Sequence, residues 1–478
     1  MKSVGATILQ LLPLNDTGSD SSPYSATSCL ALNPVYIRLQ ELPGAAARTK
    51  LGKSLARIEK KLKKLNSKDQ VDYPKVRALK LEYLKLYFEH KSKSPQIKKG
   101  ISAFVKEHRW SFDFGLFTAL NEAYEVPWWL FPKVHRKLTP AKKAQLKKRY
   151  AKEILFVQFI QWVCFSQLQK VRIYAEKKRV FLKGDIPILV GKNSVDVWLH
   201  QELFQLTKSV GAPPDRFNKY GQNWGFPPFN WTKSEAGCLA FWKRRLKVAE
   251  KLYHLYRLDH AVGFYRIWSC RPNGKASKGS YSPKTKKEQK AQGNRLIKKI
   301  LSLSSLYPIA EDLGAVPDWV RDDLQNLGVS ITKVMKDQHH WTKKDFFYRP
   351  EDYPYLSMTT LGTHDMEVIG MWWARHPQIA KHYAKFKGFK YKKEITHEQQ
   401  RELLRDSYQT NSLFHISLFD EFLALFPKFT PINIERREIN IPGSWGPRNW
   451  SYRFIPTVEE MRKSKGLIRS IKSILSSS

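Results

Sequence analysis

The sequence predicts an α/β fold, a TIM-type (β/α)8 barrel in which buried parallel strands alternate with helices. Two observations carry this. Short apolar runs end repeatedly in charged groups, as in Leu255-Tyr256-Arg257-Leu258-Asp259-His260, where Gly263 then closes the stretch. A strand interior holds unpaired charge only at high cost, whereas a strand exit opening into a pocket can carry it. The second observation is recurrence, since helical stretches separate most of these runs. Seven strand candidates result, ending near Leu14, Ile188, Asp259, Glu311, Val334, Thr363 and Ile441. A chain of 478 residues suggests about three domains by length, but barrels with insertions run long as single units.

Residues 1–44 begin the barrel. Ala6 to Leu14 has strand composition, and a loop follows through Asn15–Asp20. Residues 45–150 read as a helical insertion subdomain. There Leu51, Leu55, Ile58, Leu62 and Leu65 recur at spacings of four and three, and Val76, Leu79, Tyr83 and Leu86 repeat the stripe. Residues 151–456 supply the rest of the barrel. A long helix over about 150–177 leads into the strand Val180–Ile188. Substrate loops are expected at 196–235 and 271–295. Residues 271–290 hold seven basic residues and one acid among Gly and Ser, and read as a mobile loop. Residues 457–478 read as a basic C-terminal helix.

The net charge is +40, from 83 Lys and Arg against 43 Asp and Glu. Such a balance favours anionic surfaces. The basic residues are spread along the chain with no nucleic-acid motif, so no specific nucleic-acid partner is expected. Four cysteines lie far apart without a Cys-x-x-Cys pair, which points to neither zinc nor a disulfide framework and fits a reducing cytoplasm. The apolar run after Lys2 contains Gln10 and lacks a small-residue cleavage pattern, so it reads as a core strand rather than a secretion signal. With no apolar run of about 18 residues, no membrane span is expected.

Three acids close apparent strands, namely Asp259, Glu311 and Asp365, at gaps of 52 and 54 residues. A barrel brings such strand ends to one mouth. A lone strand-end Asp is usually a turn or cap residue. Three acids, each with Arg or His near it, suit carboxylate chemistry better. In retaining glycosyl transfer one carboxylate attacks the anomeric carbon, and a second, held protonated, donates to the leaving oxygen. Arg257 lies two residues before Asp259, so both side chains face the same way, and a guanidinium there favours an ionised Asp259. His260 and His364 flank the acids and could bond sugar hydroxyls.

These segments resemble a known family. Asp259 in Arg-Leu-Asp-His, Glu311 in Ala-Glu-Asp-Leu-Gly and Asp365 in Gly-Thr-His-Asp resemble the catalytic segments of the amylomaltases, 4-α-glucanotransferases of glycoside hydrolase family 77 and relatives of the α-amylases. Ser22-Pro23-Tyr24-Ser25 with Leu32-Asn33-Pro34, Gly184-Asp185-Ile186-Pro187-Ile188 with Asp196-Val197-Trp198 and Glu202-Leu203-Phe204, Gly211–Asp215 with Gly221–Gly225, and Asn440–Gly443 with Asn449-Trp450 also resemble family segments. The likeness runs from about residue 6 to 454.

The resemblance implies an α-amylase-type barrel and transfer of an α-1,4-glucan segment to the 4-hydroxyl of glucose or another glucan, with no metal or organic cofactor. Asp259 would be the nucleophile, Glu311 the general acid and then base, and Asp365 a ligand of the 2- and 3-hydroxyls. Arg257, His364 and Asp185 would support the same sugar, His260 would bind substrate, Tyr24 would stack on the ring, Trp224 would line the cleft and Asn449 would complete the pocket. Maltooligosaccharides, glycogen or a starch-like glucan would be donors and glucose an acceptor.

The sequence also departs from the family. Ala261-Val262 replaces the usual Phe-Arg, which resembles the divergent disproportionating branch. Arg216 stands where Tyr is common and Gln201 where Pro is common. The resemblance further implies that the family's first strand is missing, leaving seven of eight and two exposed sheet edges. The rival readings are an α-amylase-like hydrolase and a catalytically idle basic carbohydrate or nucleic-acid binder.

Overall fold

The computed structural model describes residues 1–42, 50–214, 219–338, 347–431, 433–444 and 446–476. Asp215 and Arg216, singled out in the substrate loop, lie outside the described residues.

Seven parallel strands form one curled sheet in chain order: β1 (Ile8–Gln10), β2 (Phe181–Ile186), β3 (Leu255–Leu258), β4 (Tyr307–Ala310), β5 (Ser330–Val334), β6 (Ser357–Thr360) and β7 (Phe414–His415). Side chains alternate between the two faces of each strand. Outward residues such as Tyr256 and Leu258 therefore enter the main apolar core beneath the helices. Inward residues form layers. Leu255, Ile309 and Met358 pack together near the strand starts, with Ile8, Tyr307 and Phe414 against them. Lys183 of β2 joins this layer, its Nζ 3.0 Å from Met358 Sδ, and two residues further along stand Asp185, Arg257 and, just past the end of β4, Glu311. Register completes the arrangement, because Asp185 pairs with Arg257 and Arg257 with Ile309 across the ladder. Gly184 is required on the outer face of β2, where a Cβ would meet the Tyr253 ring at 2.4 Å.

The number of strands matches the expectation, but one strand is different. Residues 438–442 are not a strand. They form a loop, and the seventh place belongs to Phe414–His415, pairing with Met358 and Thr359. Two ladder residues are too few to show as an apolar run. β1 is also shorter than Ala6–Leu14. No eighth strand joins the sheet among the described residues, so β1 and β7 are its edges. Both edges line one cavity of about 460 Å³ at the strand starts, with Phe181, Leu255 and Tyr307.

Between β1 and β2 the chain makes helices over Lys50–Asn66, Tyr73–Lys91, Pro95–Glu107, Trp110–Tyr124 and Pro140–Arg149 before the long crossover helix Ala151–Lys177. The loop expected at 271–295 is corrected. Ser280–Ser282 is a strand pairing with Ile267–Cys270, and a helix runs from Lys286 to Ser302 behind a Thr285–Glu288 capping box. Ile267–Cys270 continues into a small antiparallel sheet through Ser209–Ala212 and Gln222–Asn223. The C-terminal segment forms two helices, Val458–Lys463 and Lys465–Leu475, instead of one. Leu467, Ile471 and Ile474 of the second share an apolar cluster with Val4.

Candidate active site

The site is organised around one guanidinium. Arg257, inward on β3, donates from Nη1 to both Asp185 oxygens at 2.9 and 2.8 Å and to Asp259 Oδ1 at 2.8 Å. Its Nη2 lies 3.5 Å from Glu311 Oε2. Three strand exits are thus tied together through a single side chain. Burial would weaken the Arg257 cation, but Asp185, Tyr24, Asp259 and Glu311 outweigh it and hold the guanidinium firmly charged.

The third acid joins through aromatic groups. Tyr24 Oη donates to Asp185 Oδ2 at 2.9 Å and meets His364 Nε2 at 2.9 Å. His364 Nε2 in turn lies 3.2 Å from Asp365 Oδ2. Asn440 Nδ2 donates to the other Asp365 oxygen at 2.7 Å. The acids differ in access. The Asp185 side chain is fully enclosed, while Asp259, Glu311 and Asp365 remain 19, 13 and 38% exposed. Three carboxyls can therefore meet a ligand, and Asp185 serves beneath them.

Their protonation also differs. Burial pushes Glu311 up to about 7, with Asp259 adding to the rise and Arg257 opposing it. Its oxygens accept from the backbone N–H of His260 at 2.6 Å and of Leu313 at 3.2 Å. Burial would raise Asp365 too, but His364 and Asn440 outweigh it and hold the carboxyl well below the usual range. His364 is raised in return, as Asp365 overcomes the effect of its burial. One protonatable acid and ionised carboxylate chemistry thus coexist in one hollow.

Backbone turns aim these groups. His260 has φ 42°, unusual for a side chain larger than glycine, and this turn directs its N–H to Glu311. The His260 ring meets Trp224 edge-on at 5.1 Å, bringing the substrate-loop tryptophan beside the acids. Asn449 does not reach them. Its side chain accepts from Ile441 N and donates to Ser444 O, shaping its own loop.

Asn440 and Trp450 were read from the sequence only as parts of a family-like segment, without a role in the site. Trp450, at φ 66°, packs on Tyr24 at 5.4 Å and on His364 at 5.7 Å. Both lie in the segment carrying Asn449, and the polar Asn440 within an apolar Ile-Asn-Ile run was the available signal. Lys183 was missed as well. It is fully buried two residues before Asp185, its Nζ lies 3.0 Å from Met358 Sδ, and burial lowers it to about 7.

Comparison with known proteins gives a consistent result. The family model for the 4-alpha-glucanotransferases of glycoside hydrolase family 77 matches residues 1–457. The chain is 37% identical over 474 residues to a 4-alpha-glucanotransferase of Chlamydia pneumoniae, covering 98% of this chain and 88% of that protein. It is 32% identical over 390 residues to the 4-alpha-glucanotransferase of Thermus thermophilus, covering 78% and 74%. In fold it is similar to the amylomaltase from Streptococcus agalactiae in complex with acarbose, with a TM-score of 0.81 at 24% identity over 98% of this chain and 90% of that one. With strand-end acids gathered on one arginine and the family model spanning nearly its whole length, the chain belongs to the 4-alpha-glucanotransferase family, enzymes acting on α-1,4-glucans.

Proposed function

We propose that this chain transfers α-1,4-glucan segments by double displacement with retention at the hollow formed by Asp259, Glu311 and Asp365. The observation that carries the reading is the convergence of Asp259 and Glu311 on Arg257, with Asp365 joined to the same cluster through His364 and Tyr24. Asp259, bonded to Arg257 at 2.8 Å, attacks the anomeric carbon in this reading. Glu311, pushed up to about 7, keeps a proton for the departing glucosidic oxygen and afterwards takes one from the incoming hydroxyl. Asp365, held ionised, accepts hydrogen bonds from the 2- and 3-hydroxyls of the reacting glucose, which strengthen as positive charge develops at the ring. Asp185 and His364 fix the partners of these groups, Tyr24 and Trp224 offer aromatic faces to the sugar, and His260 and Asn449 border the cleft.

Maltooligosaccharides and larger α-glucans such as glycogen are the donors, and glucose or a glucan end is the acceptor. The acarbose complex of the structural neighbour supports an oligosaccharide-sized cleft. Transfer exceeds hydrolysis where the acceptor site holds sugar and loops exclude water. The small antiparallel sheet, with Trp224 beside it, is the cover for this. A cytoplasmic location fits four unpaired cysteines, and no described helix is long and apolar enough to cross a membrane.

The test is incubation with maltotriose. Glucose together with maltodextrins longer than the substrate supports transfer. Reducing ends without redistribution of chain length would assign a hydrolase instead, and steep salt-dependent DNA binding without any glucose release would assign an idle binder.

A further inference from the structure

Asp420 lies far from the acids in sequence and touches none of them, yet it holds the loop that does. It is 1% exposed, on the short helix Phe419–Leu423 that follows β7. Its Oδ2 accepts from Arg437 Nε at 2.7 Å, and its Oδ1 accepts from Tyr452 Oη. Arg437 and Tyr452 are the two stems of the loop whose interior carries Asn440, Asn449 and Trp450. One carboxylate thus joins both ends of a segment that is not a strand, and backbone pairing of Tyr452 and Ser451 with Gln70 and Val71 holds its far stem as well.

The neighbouring Glu421 ties the other side of the same contact. Its Oε1 accepts from the Ile369 N–H at 2.8 Å, at the start of the helix just after Asp365. Its Oε2 accepts from Gln400 and lies 3.5 Å from Arg437 Nη2. Asn440 and Asp365 are therefore both referenced to the Asp420–Glu421 pair. Two enclosed carboxylates on one guanidinium are a poor route to stability, since desolvation consumes the gain, and such clusters are better explained by what they position.

We propose that Asp420 is a positioning residue for the reaction. By clamping both stems of the 437–452 loop, it holds Asn440 on Asp365 and Trp450 on Tyr24 and His364. The proposal rests on the functional reading above, and its test separates the two. In the full chain, Asp420→Asn removes the negative charge that both stems bond to and leaves one acceptor oxygen where there were two, which weakens the clamp.

Hydrogen exchange in the absence of sugar should then quicken about tenfold or more for amides of 438–451, including Asn440, bonded to His364 O, and Trp450, bonded to Ile439 O, while β3 and β4 keep their protection. In maltotriose disproportionation kcat should fall about tenfold to a hundredfold. The double variant Asp420→Asn/Asn440→Ala should be no slower than the slower single variant, because both changes remove the same placement. Unchanged exchange across 438–451, or kcat losses that multiply in the double variant, would overturn the proposal. Should Asp420→Asn not fold, Tyr452→Phe decides. Faster exchange in the same loop supports the clamp, and wild-type exchange overturns it. Absence of transfer by the wild-type chain would refute the functional reading, while the exchange result would still decide the clamp.

Discussion

The floor of the site and its far wall perform the same task by different means. Both hold a carboxyl in one orientation. The floor does so with strands, because Asp185 and Arg257 are ladder partners and their side chains meet through register alone. The wall does so with the loop 437–452, where Asn440 reaches Asp365 across coil and Trp450 takes a left-handed backbone conformation. The Asp185 side chain in the floor is fully enclosed, whereas Asp365 at the wall is 38% exposed. The contrast suggests that the strands supply the charges and the loop adjusts them. It also predicts that damage to the floor threatens chemistry and folding together, while damage to the wall alters rate and pH response with the fold intact.

The largest effect should come from the rim of the floor. Asp259→Asn is expected to lower transfer from maltotriose by about 10⁴-fold or more, while calorimetry still detects maltoheptaose binding. Near-wild-type transfer would refute the assignment of the nucleophile. Glu311→Gln should cost about 10²–10⁴-fold in kcat with ordinary glucan donors. In the wild type, kcat/KM should fall as pH rises through about 7, because the raised Glu311 then loses the proton it must donate. A flat profile from pH 6 to 9 would contradict this.

Arg257→Met sharpens the comparison on the side of folding. It leaves Asp185 enclosed without its cation, and should cost about 3–5 kcal/mol in urea unfolding. The smallest effect belongs to the wall. Asn440→Ala removes one hydrogen bond to a charged carboxylate, worth about 1.5–3 kcal/mol, so kcat should drop roughly tenfold or somewhat more. The sign of its pH effect follows from the same bond. Asn440 helps to lower Asp365, so its removal raises that carboxyl, and the acidic limb of the rate profile should move to higher pH. A smaller melting loss for Asn440→Ala than for Arg257→Met would uphold the distinction between wall and floor.

The same division explains what could be read from the sequence. The charged exits of β3 and β4 were legible because apolar runs end there in Arg257-Leu258-Asp259 and in Glu311, and the shared face of Arg257 and Asp259 follows from the strand period of two. The convergence of Asp365 on them was legible through the barrel expectation and the family likeness. The 437–452 loop was misread as a strand at 438–442, because Ile439, Ile441 and their neighbours have strand composition while their hydrogen bonds are set by His364, Asn449 and the buried Asp420. Tertiary partners of that kind leave no local periodicity. β7 escaped because it makes only two ladder pairs, Phe414 and His415, inside the four-residue run Leu413–Ile416. The helix inside 271–295 was hidden by its lysines and glycines, though Thr285 and Glu288 were a readable start signal.

The sheet's unclosed seam carries one more implication, for behaviour in concentrated solution. Edge strands invite other chains to zip onto them, and long flat ones seed fibres. Here the borders of the seam are three and two residues long. A visiting polypeptide would find purchase for only a handful of main-chain bonds, too few to offset the entropy of its own immobilisation. Among the described residues the rims are short rather than closed, and that brevity should limit pairing of other chains onto the sheet.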